Sequence, residues 1–403
     1  MSPPFYFTHS CPLSAGGMVM LVYDPVEKKT LSVEESIIDF PEKLPVHSER
    51  LLLTYPLVDL HTHVRLNSGE DYNSLERASI RGGFGVVNIQ PNTNPPISNE
   101  GVLRHHKALS YGKKVLFLHT LSFFGEVSDL QAMQCNGISG WSTDGLSYHS
   151  EDLLEAFLTK KPALLFDHSQ LHELPGDFYI SSRLPNARRP YSNEAIAIFR
   201  TVTMGLEFGF TRFHIQHVST AESLETIEYL RKKAKISCEL TPHHCYFLPE
   251  MINHPDHKIN PPISKDRDNL NDALRKGLID ILATDHAPHP EKPPTFQDAP
   301  YGSSHIEVAL SVYLTVFEDF RLVIDRLTVA PLQVIGISFE DLGFRFPDDS
   351  ILIDLNAEFS VDSSTFESKG KNCAFNGCIL RGKLIGFRRK GRWVYWDGQF
   401  LEI

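Results

Sequence analysis

Eight short apolar runs, separated by longer amphipathic stretches, constrain the fold of this chain more than any other feature. The runs are "LVDLH" (57–61), "VVNIQ" (86–90), "VLFLHT" (115–120), "ISGWST" (138–143), "ALLFDH" (163–168), "RFHIQH" (212–217), "ISCELT" (236–241) and "IDILATD" (279–285). Between them lie helical patterns such as "SLERASIRGG", "SNEAIAIFRTVTMGLEFG" and "STAESLETIEYLRKK". In the last of these Ser219 stands three residues before Glu222, which predicts a capping box at the helix start. Eight strands alternating with helices over roughly 250 residues predict an α/β fold of the (β/α)8 TIM-barrel type. A doubly wound open sheet is the competitor.

The ends of the runs favour the barrel. Nearly every run closes on a polar or metal-capable residue: His61, Gln90, His119, Asp144 just past its strand, His168, His217, Thr241 and Asp285. Burying such groups without partners costs several kcal/mol each on transfer scales, roughly 2–7 for an amide or hydroxyl, so the repetition needs a shared cause. In a barrel the carboxyl ends of all eight strands converge on one face, where active sites sit. The flanks differ, with short β-like runs and turn signals such as "FNGCILRGKLIGFRRKGRWVYWDG". They predict a small β-rich domain composed of residues 1–54 and 345–403, beside a barrel over 55–344.

Composition narrows the function. The 403 residues are 41% hydrophobic and 22% charged, as expected for a soluble globular protein. No apolar run approaches the roughly 20 residues of a membrane span. The start "MSPPFYFTHSCPLSAGG" lacks a basic stretch followed by an apolar one, so no secretory signal is expected. Six scattered cysteines fit reduced thiols in the cytoplasm. A net charge of −11 argues against a nucleic-acid binder but permits a small anionic substrate. The 19 histidines are in excess, about twice an average share.

His61 and His63 sit at alternate positions of a strand end, so both rings can reach one ion, and imidazole binds Zn2+ well. Read alone, they could equally be two hydrogen-bonded histidines. With His168, His217 and Asp285 they make five ligand-type groups on one barrel face. Asp144 in "GWSTDG" could be a turn aspartate before Gly145, or the carboxylate that bridges two metals. Asp285 can ligate and also take a proton from a metal-held water, whose pKa falls from about 15.7 to about 7, then pass it to a leaving nitrogen.

Arg65 and Asn92 follow the first two strands and suit a substrate carboxylate. Asn260 in "KINPPI" and His289 in "DHAPH" are weaker candidates for substrate contact, since a turn or solvent explains each locally. His243 and His244 are expected to support the ligands, His286 to be structural, and His105, His106, His254 and His257 to be solvated.

Together the motifs "VDLHTHVR", "QPNTNPP", "HIQHVST", "LTPHH", "KINPPI" and "ATDHAPH" resemble the dihydroorotases of the amidohydrolase superfamily. The resemblance covers the barrel, and "SKGKNCAFNGCILRGK" extends it to the carboxyl-terminal segment. It implies reversible closure of N-carbamoyl-L-aspartate to L-dihydroorotate in pyrimidine biosynthesis. It implies metal ligands at His61, His63, His168, His217 and Asp285, with Asp285 as proton shuttle, and substrate contacts at Arg65, Asn92, Asn260 and His289. Many relatives bridge two zinc ions with a carboxylated lysine. Here "STDG" offers Asp144, as in the subgroup with an aspartate bridge, which leaves one or two zinc ions open.

The chain departs from the family pattern at Gln170, where an acid usually follows the histidine, at Leu66-Asn67 in place of Glu-Pro, and at Ile263-Ser264 in place of Leu-Arg. "VAPLQVIG" also lacks the usual Asn-Pro. Two other readings stay open. One is a hydantoinase-like or allantoinase-like enzyme, the other a silent partner that scaffolds aspartate transcarbamoylase. A homodimer is compatible with each, and neither nucleic acid nor membrane is expected as a partner.

Overall fold

The computed structural model describes residues 19–33, 40–41, 50–66, 69–130, 137–145 and 147–401. The amino-terminal stretch read for a secretory signal, the first 18 residues assigned to the small domain, and Asn67 lie outside these residues.

The chain enters through three strands, β1 (Val19–Asp24), β2 (Lys29–Val33) and β3 (Arg50–Thr54). Then comes β4 (Leu57–Thr62), all six residues buried, helix α1 (Tyr72–Gly82), β5 (Phe84–Ile89), α2 (Glu100–Ser110), β6 (Leu116–Ser122) and β7 (Ile138–Ser142). Helix α3 (Ser150–Thr159) leads to β8 (Leu164–Asp167), an insertion carrying β9 (Phe178–Tyr179) and β10 (Ala187–Arg189), and α4 (Ser192–Glu207). The series continues with β11 (Arg212–Ile215), α5 (Ala221–Leu230), β12 (Lys235–Leu240) and β13 (Ile281–Leu282). Every predicted run becomes a strand, because a parallel sheet covered on both faces needs near-continuous apolar sequence.

These eight strands pair in parallel in the order β4-β5-β6-β7-β8-β11-β12-β13. The ring closes where Thr62 bridges His286 and the His63 N–H donates to the His286 carbonyl at 2.9 Å. Asp59, buried within β4, reinforces the seam by accepting from the Thr284 N–H at 2.9 Å and the Thr284 hydroxyl at 2.5 Å. The fold is thus the expected (β/α)8 barrel. One apolar cluster joins Val58, Leu60, Val86, Leu118, Leu164, Phe166 and Ile281 from strands around the ring to Leu332, Phe339 and Phe344.

A second sheet draws on both flanks. Its order is β17-β16-β15-β14-β3-β1-β2, with β14 (Ser350–Ser360), β15 (Ile379–Arg389), β16 (Arg392–Trp396) and β17 (Gln399–Phe400). Strand β3 pairs antiparallel with β14, which ties the chain's beginning to its end.

Three expectations are corrected. The cap of α5 is Thr220, whose hydroxyl accepts from the Ser223 N–H at 3.3 Å. Ser219 instead donates its N–H and hydroxyl to Glu194 of α4, both at 3.1 Å. His119 does not point to the site. Alternation along β6 sends Leu118 to the apolar cluster and turns His119 outward, to the Tyr72 hydroxyl of α1 at 2.9 Å. The same hydroxyl meets His106 of α2 at 2.9 Å, so His106 is fully buried and not solvated. His257 is also buried, with Nδ1 against the His254 carbonyl at 3.2 Å.

Candidate active site

The carboxyl ends of the strands surround a cleft of about 320 Å³ lined by His63, Arg65, Asn92, Asp144, His168, His217, Asn260 and Asp285. His61 lies just beneath it, fully buried. Among the described residues, His61, His63 and Asp285 form a group whose donor atoms lie within 4.8 Å of one another, close enough to hold one metal ion.

Hydrogen bonds set which nitrogen each ring presents. Nδ1 of His61 lies 2.5 Å from Glu239 Oε1, and Nδ1 of His63 lies 2.7 Å from Asn92 Oδ1. Each acceptor takes the Nδ1 proton and leaves the Nε2 lone pair facing inward. There His61 Nε2 meets Asp144 Oδ2 at 3.0 Å and Asp285 Oδ1 at 3.4 Å, and His63 Nε2 meets Asp285 Oδ1 at 3.1 Å. A lone pair and a carboxylate at such range repel unless a proton or a cation lies between them. The His61 ring shows this. Burial works against its charged form, yet Glu239, Asp285 and Asp144 together hold its pKa well above the ordinary imidazole value.

A second group adjoins the first. His217 Nε2 is 2.8 Å from His168 Nδ1, and Asp144 Oδ1 is 3.9 Å from the same nitrogen. Burial dominates at both rings and pushes their pKa values down, His217 further because His168 and His61 are its neighbours. Asp144 therefore turns one oxygen to each group. Burial would raise its pKa, but the surrounding imidazoles outweigh that and hold the carboxyl below its usual range. His217 and Asp285 both have left-handed backbones, with φ of 34° and 50°, which aims each side chain back over the barrel mouth.

Glycine makes room for the remaining parts. Gly145, at φ 88°, lies so close to Asn92 that a Cβ there would come 1.9 Å from the Asn92 Cβ. Asn92 Nδ2 donates to Asp144 Oδ1 at 3.3 Å. Arg65 lines the cleft with its Nε buried and unpartnered, and burial lowers its pKa. Asn260 donates to Gln170 Oε1 at 3.0 Å and accepts from Arg189 at 2.6 Å.

His289 is half-buried beside the cleft, with Nε2 2.8 Å from the Tyr301 carbonyl, and burial lowers its pKa to about 4. Tyr301 and Gly302, at the end of the same loop, line the cleft instead. Side-chain hydrogen bonds strap that loop down. Lys258 Nζ donates to the Phe296 carbonyl at 2.7 Å, Lys292 Nζ to the Pro255 carbonyl at 3.1 Å, and Tyr301 to Asp177 at 2.5 Å.

His286 is buried, its Nδ1 accepting from the His305 N–H at 3.1 Å, as a structural residue should be. His243 stands behind Asp285, its Nε2 4.0 Å from Asp285 Oδ2 and 2.9 Å from the Thr241 hydroxyl. Sequence reasoning missed Glu239. It lies in the barrel interior, fully buried, where it meets His61, His214 Nε2 at 2.9 Å and the His217 N–H at 3.0 Å. The signal was available as a lone carboxylate inside the apolar run "ISCELT".

No family model matches the chain. L-hydantoinase (dihydropyrimidinase) from Arthrobacter aurescens superposes with a TM-score of 0.75 at 20% identity, covering 96% of this chain and 98% of that one. This likeness shows the same barrel fold with a β-rich flank. Sequence relatives go further. A Thermotoga maritima protein named "Putative dihydroorotase" is 49% identical over 385 residues, 95% of this chain and 98% of its own. The dihydroorotase of Aquifex aeolicus is 30% identical over 399 residues, covering 92% and 93%. The chain belongs to the dihydroorotase family.

Proposed function

We propose that this chain is a metal-dependent cyclic amide hydrolase that interconverts N-carbamoyl-L-aspartate and L-dihydroorotate in pyrimidine biosynthesis. The observation that carries the reading is the pair of inward Nε2 lone pairs of His61 and His63 set against Asp285 and Asp144. Two acceptor sets converging at such range fit a divalent cation, and imidazole with carboxylate suits Zn2+. His61, His63 and Asp285 would hold one ion. His168 and His217 would hold a second, with Asp144 as the bridge, an arrangement supported by its two oxygens facing different histidine pairs. When bound, zinc supplies Lewis acidity toward the ring carbonyl and lowers the pKa of a water.

The chain's own residues do the rest. Asp285, at the cleft floor, takes a proton as the amide is attacked and returns it to the leaving ring nitrogen. Arg65 pairs with the substrate carboxylate through its unpartnered edge, and Asn92 and Asn260 orient the ring with amide donors. His289 would contribute through Nδ1, since Nε2 is engaged by Tyr301. Residues 55–344 form the catalytic barrel in this proposal, and 1–54 with 345–403 a composite β-rich unit. No helix of the described residues is long and apolar enough to cross a membrane.

The test is dihydroorotate hydrolysis by the purified chain with zinc, run beside Asp285→Asn. Turnover is expected, and loss of the shuttle should lower it by about 100-fold or more. Hydrolysis of hydantoin or allantoin without dihydroorotate would overturn the substrate. Full activity in the variant would overturn the role of Asp285. Turnover by the isolated chain would exclude a silent scaffold.

A further inference from the structure

Arg189 ends β10 in the insertion between β8 and α4, and it is 4% exposed. Its guanidinium donates from Nε to the Gly176 carbonyl at 3.1 Å and from Nη1 to Asn260 Oδ1 at 2.6 Å. Among the described residues no carboxylate comes within 4.0 Å of it. The acids in its surroundings are otherwise engaged, Asp177 by Lys258 and Tyr301, Glu194 by Ser219. Burying a cation without a counter-ion is unfavourable, so the position calls for a reason beyond packing. The two main chains also pack closely here, since a Cβ on Gly176 would lie 2.4 Å from the Arg189 backbone nitrogen.

The reason lies in what a guanidinium does to an amide. An asparagine side chain has an acceptor end and a donor end of nearly equal shape, and only its partners decide which faces where. Arginine can only donate, so it fixes Oδ1 of Asn260 outward and sends the NH2 group toward the cleft. That group lies 3.0 Å from Gln170 Oε1 and 3.0 Å from His168 Nε2. Gln170 must then present its oxygen, which also faces His168 Nε2 at 3.4 Å. The Asn260 NH2 is the closer of the two groups, so the amide donates there and His168 Nε2 accepts. Orientation passes from a guanidinium through an amide to an imidazole. The chain of amides stands where the family resemblance implies an acid beside this histidine, so polarity that a charge would set is here set by Arg189.

We propose that Arg189 is a positioning residue for turnover, locking the Asn260 amide with its donor end toward the substrate and His168. The proposal rests on the reading of the cleft as a cyclic amidase site. Its test is a double-mutant cycle of Arg189→Met with Asn260→Ala, read as kcat/KM and KM on whichever cyclic amide the wild type hydrolyses, with zinc saturating. Failure of the substrate assignment changes only the substrate used, so the two outcomes stay distinguishable. Arg189→Met should lose about ten- to a hundredfold in kcat/KM, chiefly through KM. Asn260→Ala should lose a similar amount, and the double variant no more than Asn260→Ala alone. Arg189→Lys, which keeps one donor, should recover part of the loss. If Arg189→Met fails to fold, Arg189→Lys carries the same cycle. Losses that multiply in the double variant, or a neutral Arg189→Met, would overturn the proposal.

Discussion

Replacing Glu239 with glutamine would remove a charge from beneath the proposed metal site while keeping the shape of the side chain. The carboxylate accepts from three directions: His61 Nδ1 at 2.5 Å, His214 Nε2 at 2.9 Å and the His217 N–H at 3.0 Å. Burial acts to raise its pKa, yet His61 and His214 hold it at about 2, so it is ionised across the working range. An amide offers one acceptor oxygen where the carboxylate offers two. His214 can adapt, because Ser237 Oγ lies 2.9 Å from its Nδ1 and can take the proton of the other tautomer. His61 has no such alternative, as its Nε2 is committed to the site.

The loss therefore falls on His61. A charge-assisted hydrogen bond there becomes a neutral one, at about 1–2 kcal/mol. That corresponds to a roughly five- to thirtyfold drop in metal affinity, the order of magnitude typical of losing a partner behind a ligand. Competition against a chelator of known zinc affinity measures it, with the thermal midpoint of each protein as a check on folding. Activity should return when zinc is raised to saturation. Wild-type zinc affinity in a folded Glu239→Gln protein would refute the tautomer argument for His61.

Two further outcomes are expected. Gly145→Ala would drive a methyl into Asn92 and strain a backbone at φ 88°. It should lower kcat/KM for dihydroorotate by about tenfold or more and stability by about 1–3 kcal/mol, read by kinetics and denaturant unfolding. A fully active Gly145→Ala would mean that Asn92 is not held by this contact. His119 is held at about 3, first by burial and then by His106 and Lys107, against about 6.5 for a free imidazole. Its folded pKa is depressed, so stability present above pH 6.5 is lost as pH falls toward 3. Between pH 7 and 4 the loss is about 3 kcal/mol. In His119→Gln the fall in unfolding free energy over that interval should be smaller by about this amount, and identical pH profiles would refute the assignment.

The barrel was legible because its strands are buried on both faces and so read as continuous apolar runs, and because the chemistry gathers at their ends. His61, His63, His168, His217 and Asp285 could be found by position alone. His119 looked like another such end, and only the face it occupies in β6 decides otherwise. Its partners Tyr72 and His106 come from two helices whose packing no local pattern reveals. Ser219 and Thr220 are adjacent hydroxyls, and the cap went to whichever residue the chain turned on, after Glu194 had claimed the other. Arg189 lies in an insertion without periodicity, facing an asparagine 71 residues later in the sequence.

Glu239 and Asp59 explain together how such a site can persist. Both are carboxylates buried in strand interiors, and each takes a backbone N–H next to a strained turn. Glu239 accepts from His217 itself, whose φ is 34°. Asp59 accepts from Thr284, one residue before Asp285 with its φ of 50°. A left-handed conformation at a non-glycine residue costs on the order of 1–3 kcal/mol, and hydrogen bonds to a buried carboxylate offset a cost of that size. The two strands that lead into strained backbone positions are thus held by acids on the neighbouring strands β12 and β4. Buried hydrogen-bonding groups inside the barrel are what permit the geometry at its mouth, and a barrel optimised only for apolar packing would lose the contacts that hold Thr284 beside Asp285.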